Sequence, residues 1–145
     1  MKTPYDAAIR VQRREIDAMS VAINVQVNLL NQIDQAREEV RTSIIRESDV
    51  AAADLSMSSH AYMERIRAEQ SRLIRDGAAQ GARLDQLRSK AASAYGAYRA
   101  IEVAAEGFVA DANRQSANAE QAGIDDSSAV AFLKARRTSR GKTER

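Results

Sequence analysis

Apolar residues recur at alternating spacings of three and four in two long segments, and this repeat fixes what the chain can fold into. In the first segment, positions seven apart read Ile9, Ile16, Ile23, Leu30, Arg37 and Ile44. Their companions read Tyr5, Gln12, Met19, Gln26, Ile33, Val40 and Glu47, so nine of the thirteen are apolar. The second segment reads Met63, Gln70, Gly77, Leu84, Ala91, Tyr98, Ala105, Ala112 and Ala119. Its companion set reads Ile66, Leu73, Gln80, Leu87, Ala94, Ile101, Phe108, Gln115 and Ala122, and fourteen of these eighteen are apolar. A repeat that holds phase this long predicts helices packed along a heptad seam.

The two helices are predicted over about 4–48 and about 60–122, within an antiparallel coiled-coil region spanning 1–122. Thr3, Pro4 and Asp6 form a helix start: a capping hydroxyl, a proline where no amide partner is needed, and a carboxylate three residues after the cap. The repeat fails between about 49 and 59, which places the bend there. Asp54, Ser56, Ser58 and Ser59 offer caps for the second helix, and Val50 to Leu55 leave room for a short extra turn. Gly123 reads as the second helix's end, because glycine commonly follows a C-terminus. Two helices on a short connection fold back on each other. The fold class is therefore all-α: a long antiparallel two-helix coiled-coil hairpin with a short basic C-terminal tail. With the bend near residue 54, facing positions have numbers adding to about 108, which sets Leu30 near Gly77 and Gln80.

The second helix outlasts the first, and its surplus is expected to lack a partner within the chain. Ala105, Phe108, Ala112 and Ala119 would then form an apolar stripe inviting another protein. Polar residues at Gln12, Gln26, Arg37, Gln70, Gln80 and Gln115 would fix register at some cost in stability. Gly77 and Gly81 read equally as places for bending or close approach and as tolerated wear. A second stripe, Val11, Ala18, Val21 and Val25, faces away from the seam. It reads either as ordinary exposed valines or as a partner surface.

Charge separates the chain differently. Residues 134–145 hold six bases and one acid, and residues 1–133 hold sixteen bases and nineteen acids, so the net +2 combines a body of −3 with a tail of +5. The tail, 123–145, is expected to be a flexible, solvated end, with contact to nucleic acid or an acidic lipid surface as the alternative. A body that is not basic, with no aromatic interleaving, argues against nucleic acid as the main partner.

The chain has no cysteine and one histidine, His60. Thiolate and histidine metal sites are thereby excluded. No phosphate loop and no nucleophile–base pair is present, and the Glu38-Glu39 and Asp125-Asp126 pairs sit in charged, solvated stretches. Carboxylates do acid–base work only when burial or proximity splits their pKa values. The expectation is a protein that is no enzyme, with no catalytic residues, cofactor, metal or small-molecule substrate. His60, opening the second helix, is expected to have a surface or capping role. No stretch has the apolar length of a membrane span or signal peptide, which places the chain in the cytoplasm.

These features resemble the flagellar type III export stalk proteins (the FliJ family, with the injectisome YscO-type proteins as relatives) over nearly the whole chain. The resemblance is carried by Tyr5-Asp6-Ala7-Ala8-Ile9-Arg10-Val11-Gln12-Arg13-Arg14-Glu15 and by Ala61-Tyr62-Met63-Glu64-Arg65-Ile66 followed by Gln70 and Leu73. Ile124-Asp125-Asp126 before Arg136-Arg137 resembles the family's ending, with Asp where Glu is usual. The resemblance implies an antiparallel two-helix stalk whose terminal end enters a hexameric export ATPase and which links that ring to a membrane export-gate protein. It also implies handling of export chaperones, peripheral association with the inner membrane at the flagellar base, and a monomer when free. Tyr62, Ile66 and Leu73 match the stretch the family uses towards the export gate. Arg10, Arg13, Arg14, Arg99 and Arg114 are ATPase-facing candidates chosen by position and charge, with Phe108 as their apolar companion. A cytoplasmic scaffold coiled coil pairing between chains, and a nucleic-acid-associated coiled coil using the tail, are the alternatives.

Overall fold

The computed structural model describes residues 1–53 and 60–143. Two helices account for nearly all of them, α1 (Asp6–Ala53) and α2 (His60–Thr143), and no strand occurs among the described residues. The chain is an all-α helical hairpin. It divides into two compact units, Arg10–Tyr98 and a second that combines Met1–Ile9 with Arg99–Arg145.

α1 begins where the sequence predicts, with Asp6 as the main clamp. Its carboxylate accepts from the Thr3 backbone N–H at 3.1 Å and from the Thr3 hydroxyl at 2.5 Å. This is the reach-back half of a capping box, which satisfies a backbone donor the helix cannot. The Asp6 N–H bonds the Thr3 carbonyl, and the Ile9 N–H bonds the Tyr5 carbonyl.

α1 does not stop near residue 48. Val50-Ala51-Ala52-Ala53 contain no breaker, and alanine is the strongest helix former, so the helix runs to Ala53. The proposed caps Asp54, Ser56, Ser58 and Ser59 lie outside the described residues.

α2 does not end at Gly123 either. No glycine has the positive φ that a glycine terminus uses. No proline follows Pro4 anywhere in the chain, and Ile124 to Lys142 are compatible with helix throughout. The tail read as flexible is therefore helical from 123 to 143.

In the unit Arg10–Tyr98 the two helix segments pack antiparallel along the predicted heptad positions. Leu73 is 5% exposed, Leu84 7% and Gln26 6%, while Ile16, Met19, Ile23, Leu30, Ile33, Met63, Ile66, Leu87 and Ala91 are half-buried. Two helices alone bury only a narrow strip, and no side chain in the described residues is fully enclosed. Register matches the prediction to within a helical turn. Gln26 meets Gln80, and a Cβ placed on Gly77 would lie 3.5 Å from Ile33 Cγ2. Those pairs have numbers adding to 106 and 110.

The polar seam positions behave differently from one another. The Gln26 amide donates to Gln80 Oε1 at 2.6 Å and to the Gln80 carbonyl at 3.0 Å, completing a buried polar layer. Gln12 Oε1 is buried with no hydrogen-bond partner. Arg37 is not a seam residue. Its charged group stays in solvent 3.9 Å from Asp34, and the small Ala36 beside it is the half-buried position.

In the other unit, Tyr5 meets Phe108 edge-on with ring centroids 6.4 Å apart, and Ala105 is buried at 9% exposure. The unpartnered stretch accordingly does not begin at Ala105. The residues before α1 reach Phe108, Ala112 is half-buried, and every residue from 113 to 142 is exposed, Gln115 and Ala119 included.

Candidate docking surfaces

The three export-gate candidates do not share one environment. Tyr62 is exposed, Ile66 is half-buried, and Leu73 is among the most buried residues of the seam. Leu73 therefore serves the hairpin's own packing, and exposing it to a partner would open the seam. Tyr62 remains an accessible aromatic, with the exposed His60 a half-turn before it. His60 Nε2 lies 3.2 Å from Glu64 Oε1, one turn on, which is the surface role expected of this residue.

Arg10, Arg13 and Arg14 belong to the unit Arg10–Tyr98. Arg10 and Arg14 are exposed. The Arg13 Nε donates to the Tyr98 hydroxyl at 3.0 Å, and its guanidinium carbon lies 5.7 Å from the centre of that ring. A cation held over an aromatic face is attracted by the ring quadrupole. Arg13 thus pins one helix to the other and is less available to a partner than its neighbours. Tyr95 stacks beside Tyr98 at 6.3 Å in a tilted arrangement.

Arg99, Phe108 and Arg114 belong to the other unit. Arg99 pairs with Glu102 at 2.8 Å and lies 3.7 Å from Glu106. Arg114 lies 3.6 Å from Asp111. Phe108 is partly covered by Tyr5 and keeps its remaining face in solvent.

Val11, Ala18, Val21 and Val25 form a continuous exposed stripe on α1. Val21 is 64% exposed, and Val11 and Val25 are close to it. Spacings of seven, three and four keep all four on one helical face.

The chemistry available on these surfaces is ionic and apolar. The Arg41 guanidinium, hydrogen-bonded to Glu38 at 2.8 and 3.2 Å, holds that carboxyl below its ordinary range and is itself pushed up. Arg72 does the same to Glu69, through a fork that also reaches Asp76 at 3.5 Å. Among the described residues no group of three or more His, Cys, Asp or Glu could hold a metal ion. No helix among them is long and apolar enough to cross a membrane.

One set of exposed apolar residues escaped the sequence reading. Ile124, Val130, Phe132 and Leu133 are well exposed on the unpaired part of α2, Phe132 most of all at 67%. The signal was the apolar run Ala129-Val130-Ala131-Phe132-Leu133, hidden by reading Gly123 as a stop and the following bases as a loose tail. Comparison of the chain with protein-family models, with curated proteins and with solved structures gives no match.

Proposed function

We propose that this chain is a non-enzymatic stalk and coupling protein of a flagellar type III export ATPase. In this reading it links the hexameric ATPase ring to a membrane export-gate protein and handles export chaperones, working in the cytoplasm at the inner face of the membrane. The observation that carries the reading is the asymmetry of the hairpin. α2 continues for some thirty residues past its last half-buried position, leaving a single exposed helix whose apolar side chains a surrounding partner would cover.

The candidates divide accordingly. Arg10, Arg14 and Arg114, with the open face of Phe108, are offered to the ATPase, and Arg99 joins them as a member of its Glu102–Glu106 cluster. Tyr62 and Ile66 are offered to the gate protein. Val11, Ala18, Val21 and Val25 are a surface for a chaperone helix, whose apolar stripe would match their helical spacing.

The test is hydrolysis by the cognate export ATPase, with and without the full chain. Stimulation that falls in an Arg10→Glu, Arg14→Glu double variant supports the reading. Neither stimulation nor binding would sink it.

A further inference from the structure

The exposed part of α2 is split by charge. Residues 113–126 hold three acids and one base, and residues 127–142 hold five bases and no acid. Asp126, Val130, Leu133 and Arg137 follow one another at spacings of four, three and four, so they lie on one helical face. Its order is acid, apolar, apolar, base. Val130 and Leu133 are both more than half exposed, and no ion pair among the described residues involves Asp126 or Arg137.

A face with that order is complementary to itself when a second copy runs the other way. We infer that two copies of this chain associate through the exposed end of α2, antiparallel, with Val130 of each over Leu133 of the other and Asp126 of each facing Arg137 of the other. A two-fold axis then passes between positions 131 and 132 and generates both ion pairs from one. In this register 120–126, with Glu120, Asp125 and Asp126, lies along 137–143 of the mate, with Arg137, Arg140 and Lys142, while 127–136 of the two copies lie along each other; the antiparallel helix dipoles add to the attraction. The described helical stretches 120–143 of the two copies thus overlap, which leaves Ala112 and the paired part of each chain outside the overlap. The exposed stretch is long enough to pair without disturbing the hairpin. The inference departs from the expectation of a monomer when free, and it gives the exposed end of α2 an occupant that excludes, while bound, the surrounding partner of the proposed function.

The test is the solution mass of the full chain by sedimentation equilibrium. So short an interface is at the weak end of specific association, so the chain is held at about 100 µM and low salt. The expected mass is twice 15.9 kDa, falling towards one chain as salt rises, because exposed ion pairs are screened. Asp126→Arg or Arg137→Asp alone places like charges at two symmetric points and is expected to weaken association about tenfold. The two together swap the charges and restore it. The chain has no cysteine, so a Val130→Cys, Leu133→Cys variant is expected to form disulfide-linked dimers, while Ala18→Cys is not. A monomer at every salt concentration overturns the inference, as does a double charge swap that fails to restore the dimer. A chain that stays monomeric and binds phosphatidylglycerol vesicles instead also overturns it, assigning the basic end to an anionic lipid surface.

Discussion

The seam of Arg10–Tyr98 and the exposed end of α2 are both helical, yet helix formation is supported differently in each. In the seam, Leu73, Leu84 and Gln26 lose nearly all contact with water. Tertiary packing of a facing helix supplies the stability there. From 113 to 142 every side chain is exposed, so the helix rests on intrinsic propensity and on local bonds such as Gln121 to Asp125 at 2.8 Å. Most helical stability in proteins comes from tertiary packing of an amphipathic face, and this stretch has none. The difference teaches that α2 is one helix by geometry and two by energetics.

The largest test of that contrast is truncation of an apolar side chain on each side of it. Leu84→Ala is expected to cost about 2–3 kcal/mol, towards the lower end for a buried leucine because a two-helix core is thin. Leu133→Ala is expected to stay within about 0.5 kcal/mol. Urea denaturation followed by far-UV circular dichroism measures both, at concentrations low enough that self-association plays no part. Equal losses would break the contrast.

The buried polar layer gives a smaller, two-sided effect. Gln26→Ala leaves the Gln80 side chain without its partner and is expected to cost about 1–2 kcal/mol. Gln26→Leu combined with Gln80→Leu is expected to be neutral or stabilising, since buried polar pairs often yield to apolar ones without loss. A double-mutant cycle resolves the two.

Glycine substitutions sharpen the comparison further. At Gly77 an added methyl would meet Ile33 Cγ2 at ordinary van der Waals distance, 3.5 Å. Gly77→Ala is therefore expected to raise global stability by about 0.5–1 kcal/mol. At Gly123 nothing lies within 4 Å. Gly123→Ala is expected to slow amide exchange between about 115 and 130 while leaving the urea midpoint unchanged.

The smallest effect is ionic. The Glu38 and Glu69 carboxyls are held below their ordinary value of 4.5 by Arg41 and Arg72. A lowered folded-state pKa contributes stability that is present above the unfolded value and lost as pH falls through the folded one. Both groups are solvent-exposed, so the wild-type melting temperature should drop only slightly more below pH 4.5 than that of a Glu38→Gln, Glu69→Gln variant, and salt should shrink the difference.

How far the fold was legible follows from the same physics. Period and phase located Leu84 and Gln26 on the seam, because heptad spacing puts them on the face that meets the other helix, whereas Ala105, read as unpartnered, is buried. The Thr3–Asp6 start was legible because its hydrogen bonds are local. The end of α2 was not, because a glycine stops a helix only when its backbone adopts a left-handed turn, and Gly123 does not. The coverage of Phe108 depends on where Tyr5 lies, a tertiary fact invisible to periodicity. That Leu73 is buried in the seam was not legible, because one heptad position can serve a seam or a partner and spacing does not say which. The apolar run at 129–133 was legible in principle, but only to a reading that kept the helix going.

The Gln26–Gln80 layer carries one more consequence, for motion. Sliding one helix of the pair by a heptad would bring Gln26 opposite Leu73 or Leu87, stranding its amide against hydrocarbon while Gln80 lost its mate. The layer is a detent. Sliding would cost about 1–3 kcal/mol for each stranded amide, so at this layer the seam favours bending over a change of register.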